Sequence, residues 1–376
     1  MHTANRPILI LLSLGALALA LFPIIGDDYY IGLLIKIMIL AIFAVSLDLL
    51  IGYTGLISLG HAVFFGLGGY VLAIFFQDAD SINYWTALAL VLSCSATGAL
   101  LIGWLCIRTS GVYFIMLTLA FAQMFYYFLF ESPHFGGDDG IFLFSKPELS
   151  LGATILLDLE DEHNFYYFVL AWLVAIYLIL SMILRAPFGQ VIVAIKANEQ
   201  RVKALGYPTQ RYKLVSFMIA GTLAGLAGFL EAAHTGYVTP AYMSWHESGM
   251  VMVIVILGGM GTLFGPIMGA FVVVLLQDFL PNLTEHWQLL MGAIIIAVVL
   301  FLPKGIAGLL YRLCERFSSV RTSDPRPNTK RPISKQPISK QPISKQPISK
   351  HPISKQPSAD RSIAAPLLAA TKEQKL

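Results

Sequence analysis

The 376-residue chain is 57% hydrophobic and only 12% charged, less than half the charged fraction of an ordinary soluble domain, roughly 25%. Its formal net charge of +3 conceals two opposed regions, −8 over residues 1–303 and +11 over residues 304–376. The basic balance therefore belongs to the tail and is not a nucleic-acid signal. Three cysteines, Cys94, Cys106 and Cys314, show neither metal nor disulfide spacing and read as reduced packing thiols.

A helix needs about 20 apolar residues to cross a bilayer. On that measure crossings are expected at 8–25, 31–51, 56–76, 84–107, 112–130, 165–184, 214–233, 248–260, 263–280 and 287–302. Glycine interrupts the third, eighth and ninth of these. Ala16-Leu17-Ala18 and Ala18-Leu19-Ala20 mimic a signal-peptide cleavage site, but the apolar run continues past them to Ile25 and favours an uncleaved first span.

Basic residues orient the set. The 185–213 loop carries Arg185, Lys196, Arg201, Lys203, Arg211 and Lys213 against Glu199 alone, which places it in the cytoplasm with the basic tail. The 131–163 loop has Lys146 as its only Lys or Arg and several acids, which suits the outside. The expected fold is an all-α, polytopic membrane helical bundle of about ten transmembrane helices. Both termini lie inside (N-in/C-in), and a short cytoplasmic helix sits in the basic loop. Residues 1–312 form the membrane domain. Residues 313–376 form a basic, disordered cytoplasmic tail in which "PISK" recurs from Pro332 to Pro352, where proline every fifth residue denies helix. Weak attraction to anionic lipid headgroups is a second reading of that tail.

Catalytic motifs are absent. "GMGTLFGP" (259–266) has phosphate-loop glycines without the lysine, and "HESGM" (246–250) lacks the second histidine of H-E-x-x-H. Neither a catalytic residue nor a metal ligand is assigned. Lys36, Asp48, Glu231, Glu247 and Asp278 lie inside expected spans but near their ends, where they can snorkel or pair. A proton-driven carrier would need a charged relay near the midplane, so their positions argue against one.

Two stretches place glycines at short spacing within apolar runs: "GYTGLISLGHAVFFGLGGY" (52–70) and "GGMGTLFGPIMGA" (258–270). Glycine in a membrane helix permits either close packing or local unwinding beside a cavity. Paired interruptions in two halves of a chain point to a transport path. Gly52, Gly55, Ser58, Gly60, His61, Gly258, Gly259, Gly261 and Gly265 are therefore candidates for its lining or hinges, with close packing as the alternative. His61 reads as a hydrogen-bonded packing residue rather than a ligand.

The segment "RAPFGQVIVAIKANEQRVKALGYPTQRYKL" (185–214) is the most informative. Pro187 and Gly189 are expected to break the preceding span. A short amphipathic helix follows, with Val191, Ala194, Ile195, Asn198 and Val202 on one face, stopped by Gly206 and Pro208. Such a helix must dock on a partner or lie on the lipid surface.

Five segments occur here in the order seen in LivM-type permeases: "LDLLIGYTGLISLGHAVFFGLGGYV" (47–71), "GVYFIMLTLAFAQM" (111–124), "GGDDGI" (136–141), "FGQVIVAIKANEQRVKALGY" (188–207) and "VILGGMGTLFGPIMGA" (255–270). With "FLPKGIAGLLYR" (301–312), the resemblance covers about residues 25–312. It implies the multi-pass inner-membrane subunit of a bacterial ABC importer for branched-chain amino acids, working by alternating access. It also implies a second homologous permease (LivH-like), two cytoplasmic ATPases (LivG/LivF-like) that bind ATP and Mg, and a periplasmic amino-acid-binding protein. The chain itself would bind no cofactor and catalyse nothing.

The basic loop then resembles a coupling helix, with Pro187, Gly189, Ala194, Lys196, Asn198, Glu199, Arg201, Ala204, Leu205 and Gly206 as candidate ATPase contacts. Glu199 and Gly206 match the E-A-A-x-x-x-G pattern of such loops only loosely. The loop 235–248 and the acidic loop are candidates for receiving the binding protein. Two other readings stay open: the same machine carrying urea or short amides, and a self-sufficient secondary carrier or channel.

Overall fold

The computed structural model describes residues 15, 18–24, 26–76, 83–143, 146–151, 154–302 and 305–309. Most of the expected first span, and all of the 313–376 tail with Cys314, lie outside the described residues.

The described chain is mainly helical. In chain order the helices are α1 (Asp28–Asp48), α2 (Ala62–Phe76), α3 (Tyr84–Cys106), α4 (Val112–Phe130), α5 (Glu162–Arg185), α6 (Pro187–Ala204), α7 (Thr209–Thr235), α8 (Trp245–Gly258), α9 (Gly265–Phe279) and α10 (Trp287–Phe301). Among the described residues six segments are long and apolar enough to cross a membrane: Asp28–Thr54, Tyr84–Cys106, Val112–Phe130, Glu162–Arg185, Thr209–Thr235 and Gly265–Asn282. Each coincides with an expected crossing. Three more expected crossings are shorter apolar helices, α2, α8 and α10, of 15, 14 and 15 residues. The expected span 56–76 needs correction, because residues 56–60 are not helical and α2 begins only at Ala62.

Helix α1 is the axis of the bundle. It packs against α5, α7, α8 and α9, and Ile31, Ile35, Ile39, Ala41, Ile42 and Ala44 are completely buried. Helices α2 and α3 both lie on α7. Lipid supplies no hydrophobic drive between helices, so close van der Waals contact must hold them. Small residues make that contact possible. A Cβ on Gly68 would fall 1.9 Å from the Gly225 carbonyl oxygen, and one on Gly228 would fall 1.7 Å from that of Phe65. The glycines of "FFGLGGY" thus bring the α2 and α7 backbones into direct contact.

The two loops expected to face a soluble partner pair with each other. Strand β1 (Ile141–Phe142) from the acidic loop runs antiparallel to β4 (Tyr237–Val238), with Ile141 opposite Val238 and Phe142 opposite Tyr237. The Tyr237 hydroxyl donates to the Asp139 carbonyl at 2.8 Å, and the Phe142 and Tyr237 rings lie 4.8 Å apart. A second pair, β2 (Leu149–Leu151) and β3 (Thr154–Leu157), lies within the same acidic segment.

The α2–α7 contact sets a clear expectation. Gly228→Val should force the backbones apart and destabilise the fold by about 3 kcal/mol or more, the upper range for overpacking. The readout is a lower Tm and loss of the monodisperse peak in size-exclusion chromatography. Gly292→Ala, where an added Cβ meets nothing within 4 Å, should leave both unchanged.

Candidate functional site

The two glycine-rich stretches meet. Helix α1 widens into a π-helical segment, Leu49–Thr54, ended by Gly55 in the left-handed conformation. Beyond it the chain runs irregularly to His61. The second stretch breaks between α8 and α9, where Gly259 and Gly261 adopt positive φ of 116° and 76°. That left-handed region is open to glycine at little cost.

The Asp48 carboxylate joins the two breaks, its Oδ1 accepting from the Gly261 backbone N–H at 2.8 Å. Close approach is obligatory here, because a Cβ on Gly52 would lie 2.1 Å from Asp48 Oδ1 and 2.5 Å from the Gly261 nitrogen. Asp48 is fully buried, and its Oδ2 has no hydrogen-bond partner among the described residues. Of the two expectations for Asp48, snorkelling or pairing near a span end, the second describes it, the partner being a backbone N–H. The missed signal was its spacing four residues before Gly52, where a side chain at i lies over a position without one.

The basic loop reaches the same point. Lys196 Nζ, on α6, donates to the Gly52 carbonyl at 2.5 Å. This carbonyl lies at the end of the widened helix, where no further turn supplies a donor. A cation there also meets the negative end of the helix dipole. Gly52, Gly261, Asp48 and Lys196 thus form one junction of four chain segments that are far apart in sequence.

His61 and Ser58 are both fully buried. Ser46 Oγ donates to the Phe43 carbonyl at 2.6 Å and contacts His61 Nε2 at 2.9 Å. With the serine proton committed to Phe43, His61 Nε2 must be the donor to Oγ, which leaves Nδ1 an acceptor without a partner among the described residues. The Phe43 ring stacks on the imidazole at 5.6 Å. Gly60 lies against α4, a Cβ there meeting the Thr118 carbonyl at 2.1 Å, and Gly258 against Gly265, where α8 and α9 cross.

Helix α6 departs from its expected form. Pro187 begins it, at the first turn where a missing N–H costs nothing. Gly189 is helical and buried, and a Cβ there would clash with Leu184 at the end of α5. It packs the two helices together and breaks neither. Ile192, Ile195 and Val202 face inward, while Ala194 and Asn198 are exposed. The single expected helix is in fact two, 187–197 and 199–204, separated by Asn198 in an extended conformation (φ −162°, ψ 97°). Asn198 Oδ1 accepts from the Arg201 N–H at 3.0 Å, so it caps the second piece.

That second piece ends in a Schellman turn. Gly206 N–H donates to the Lys203 carbonyl at 2.9 Å and Tyr207 N–H to that of Val202 at 3.3 Å, with Gly206 at φ 87°. Glu199 ties the piece to α7. Its carboxylate accepts from Lys213 at 2.6 Å, Lys203 at 3.0 Å and the Thr209 hydroxyl at 3.1 Å. The opposite surface is bare: Leu205 is 71% exposed and Tyr207 44%. Arg201 and Ala204 are exposed as well.

These features define a multi-pass helical membrane protein, of the transport class, with paired helix interruptions at its centre. The model of the family described as "Branched-chain amino acid transport system / permease component" matches residues 29–299, and the chain belongs to that family. It is 29% identical over 317 residues to the high-affinity branched-chain amino acid transport system permease protein LivM of Salmonella typhimurium, covering 79% of this chain and 74% of that one. Shorter likenesses reach other permeases. The autoinducer 2 import system permease protein LsrC of Photorhabdus laumondii is 31% identical over 143 residues, 35% of this chain and 43% of its own. The xylose transport system permease protein XylH of Haemophilus influenzae is 30% identical over 157 residues, 39% and 41% of the two chains. No solved structure matches the chain.

The Glu199 clamp carries a pH signature. Partial burial raises the carboxyl, but hydrogen bonds and charge from Lys213 and Lys203 outweigh it and hold Glu199 near 2, below its ordinary 4.5. A depressed carboxylate stabilises the fold fully above pH 4.5, and that contribution is lost as pH falls from there towards 2. Glu199→Gln should cost about 1.5–3 kcal/mol, as for hydrogen bonds to charged groups. The Tm gap between wild type and variant should be constant above pH 5 and close below pH 4.5.

Proposed function

We propose that this chain is a membrane subunit of an ATP-driven importer of branched-chain amino acids, sited in a bacterial inner membrane. In this reading α6 faces the cytoplasm and serves as the coupling helix. The chain pairs with a second permease, takes its drive from two ATPases that bind ATP and Mg, and receives substrate from a periplasmic binding protein. The shorter helices α2, α8 and α10, together with the expected first span at 8–25, complete a bundle of about ten crossings with both termini inside, and the basic tail is cytoplasmic.

The observation that carries this reading is the construction of α6. Its outer tip, Leu205-Gly206-Tyr207, is exposed, with Leu205 its most open apolar side chain. Its opposite side holds the end of α1 through Lys196 and the start of α7 through Glu199. A partner that displaced the tip would move these attachments together, and with them the Gly52–Gly261 contact between the two helix interruptions. ATP binding on the partner subunits would then be converted into opening or closing at that contact. The paired β1–β4 loops at the other end of α7 form a continuous surface suited to a soluble donor protein.

Leu205 separates docking from folding better than Glu199, which is part of the loop's internal framework. In proteoliposomes holding the whole assembly, Leu205→Glu is expected to lower ATP-dependent uptake of labelled leucine at least tenfold, with the purified chain's Tm unchanged. Leucine uptake by this chain alone, driven by an ion gradient, would overturn the importer reading. Uptake of urea without leucine would keep the machine and change its cargo.

A further inference from the structure

At the end of α1 remote from Asp48, four helices and a loop surround an open recess of about 670 Å³, lined by Gly32, Leu33, Lys36, Glu231, His234 and Tyr242 among others. This lies within the roughly 300–1,000 Å³ of small-ligand sites. Helix α1 is buried almost throughout. From Ile31 onward the positions that open are Gly32, Leu33, Lys36 and Leu40, spaced as one face of a helix. That face borders the recess, and Lys36 is its exposed member.

The charges in this recess are unusual in being unspent. The Lys36 ammonium makes no hydrogen bond or ion pair among the described residues, and neither does the Glu231 carboxylate, although Glu231 is only 8% exposed and its Oε2 is wholly enclosed. The two interact electrostatically without closing to ion-pair distance, and Glu247 on α8 interacts with both. The other acids are accounted for. Asp278 accepts a hydrogen bond from the Tyr29 hydroxyl. Asp28 and Glu162 sit in the first turns of α1 and α5, where the helix dipole favours negative charge. What remains is one cation, Lys36, and the buried Glu231 carboxylate on another helix across the recess, with Glu247 of α8 the second acid near both. Leaving a buried carboxylate unpaired is costly, so the gap fits a ligand that supplies both missing partners.

We propose that this recess is a transient subsite for an α-amino acid zwitterion, Lys36 receiving its carboxylate and Glu231, backed by Glu247, its ammonium group. The inference rests on the importer reading and adds to it a place in the membrane subunit where the cargo is recognised by its backbone charges. Leu33 and Tyr242 offer apolar surface for an aliphatic side chain. Since only the charged ends are read, the subsite would accept any small neutral amino acid and reject an uncharged sugar.

The test uses the complete assembly in proteoliposomes, with L-leucine as the probe and binding-protein-stimulated ATP hydrolysis recorded in parallel. Lys36→Gln and Glu231→Gln should each lower the initial leucine uptake rate at least tenfold while stimulated hydrolysis stays within twofold of wild type. Lys36→Arg should keep at least half the uptake. Lys36 is exposed, so its variants report even if Glu231→Gln fails to fold. Wild-type uptake in Lys36→Gln overturns the subsite, as does a parallel loss of stimulated hydrolysis, which would assign the residue to the moving framework. A wild-type assembly that does not import leucine overturns the amino-acid cargo of the importer reading, and the subsite falls with it.

Discussion

One unpaired backbone carbonyl organises the centre of this protein. Where α1 widens and stops, the Gly52 carbonyl has lost its helical donor. Lys196 supplies the replacement from a loop 144 residues away. Asp48, a single turn earlier, uses its carboxylate to satisfy the Gly261 N–H on the opposing break. Each helix interruption is therefore stabilised by a charge belonging to another segment, and neither break could persist in lipid by itself.

This arrangement explains why the basic loop is shaped as it is. A single straight helix would present one face to the bundle and one outward. Division at Asn198 lets the first piece carry Lys196 to α1, while the second piece turns to set Glu199 against Lys213 of α7. Leu205 at its tip is left 71% exposed. In the proposed importer, that tip is the point where force enters, and the two charged attachments carry it to α1 and α7.

The opposite end of α1 follows a different logic. At the Asp48 junction every charge is directed at a backbone group. In the recess Lys36 and Glu231 are left facing one another without contact. The first arrangement stabilises irregular backbone, whereas the second leaves electrostatic capacity open, as a transit site needs if it is to bind weakly and release.

Much of this was legible from the residues. Periodic apolar runs located the long helices, the glycine clusters marked both interruptions, and the positions of Gly206 and Pro208 marked the end of α6, because these signals are local. Other features were not local. The hydropathy of Asp28–Thr54 and of Glu162–Arg185 is the same, 2.5, yet 89% of one window is buried inside the protein and 22% of the other. Apolar side chains suit both lipid and a protein core, so composition cannot tell which helix is the axis. Likewise, the sequence by itself determined that Asp48, Lys36 and Glu231 were charges inside apolar spans and that Lys196 belonged to a basic loop. Only the tertiary structure decided which of them meet, because pairing across 144 to 213 residues depends on how helices pack, and no local spacing encodes that.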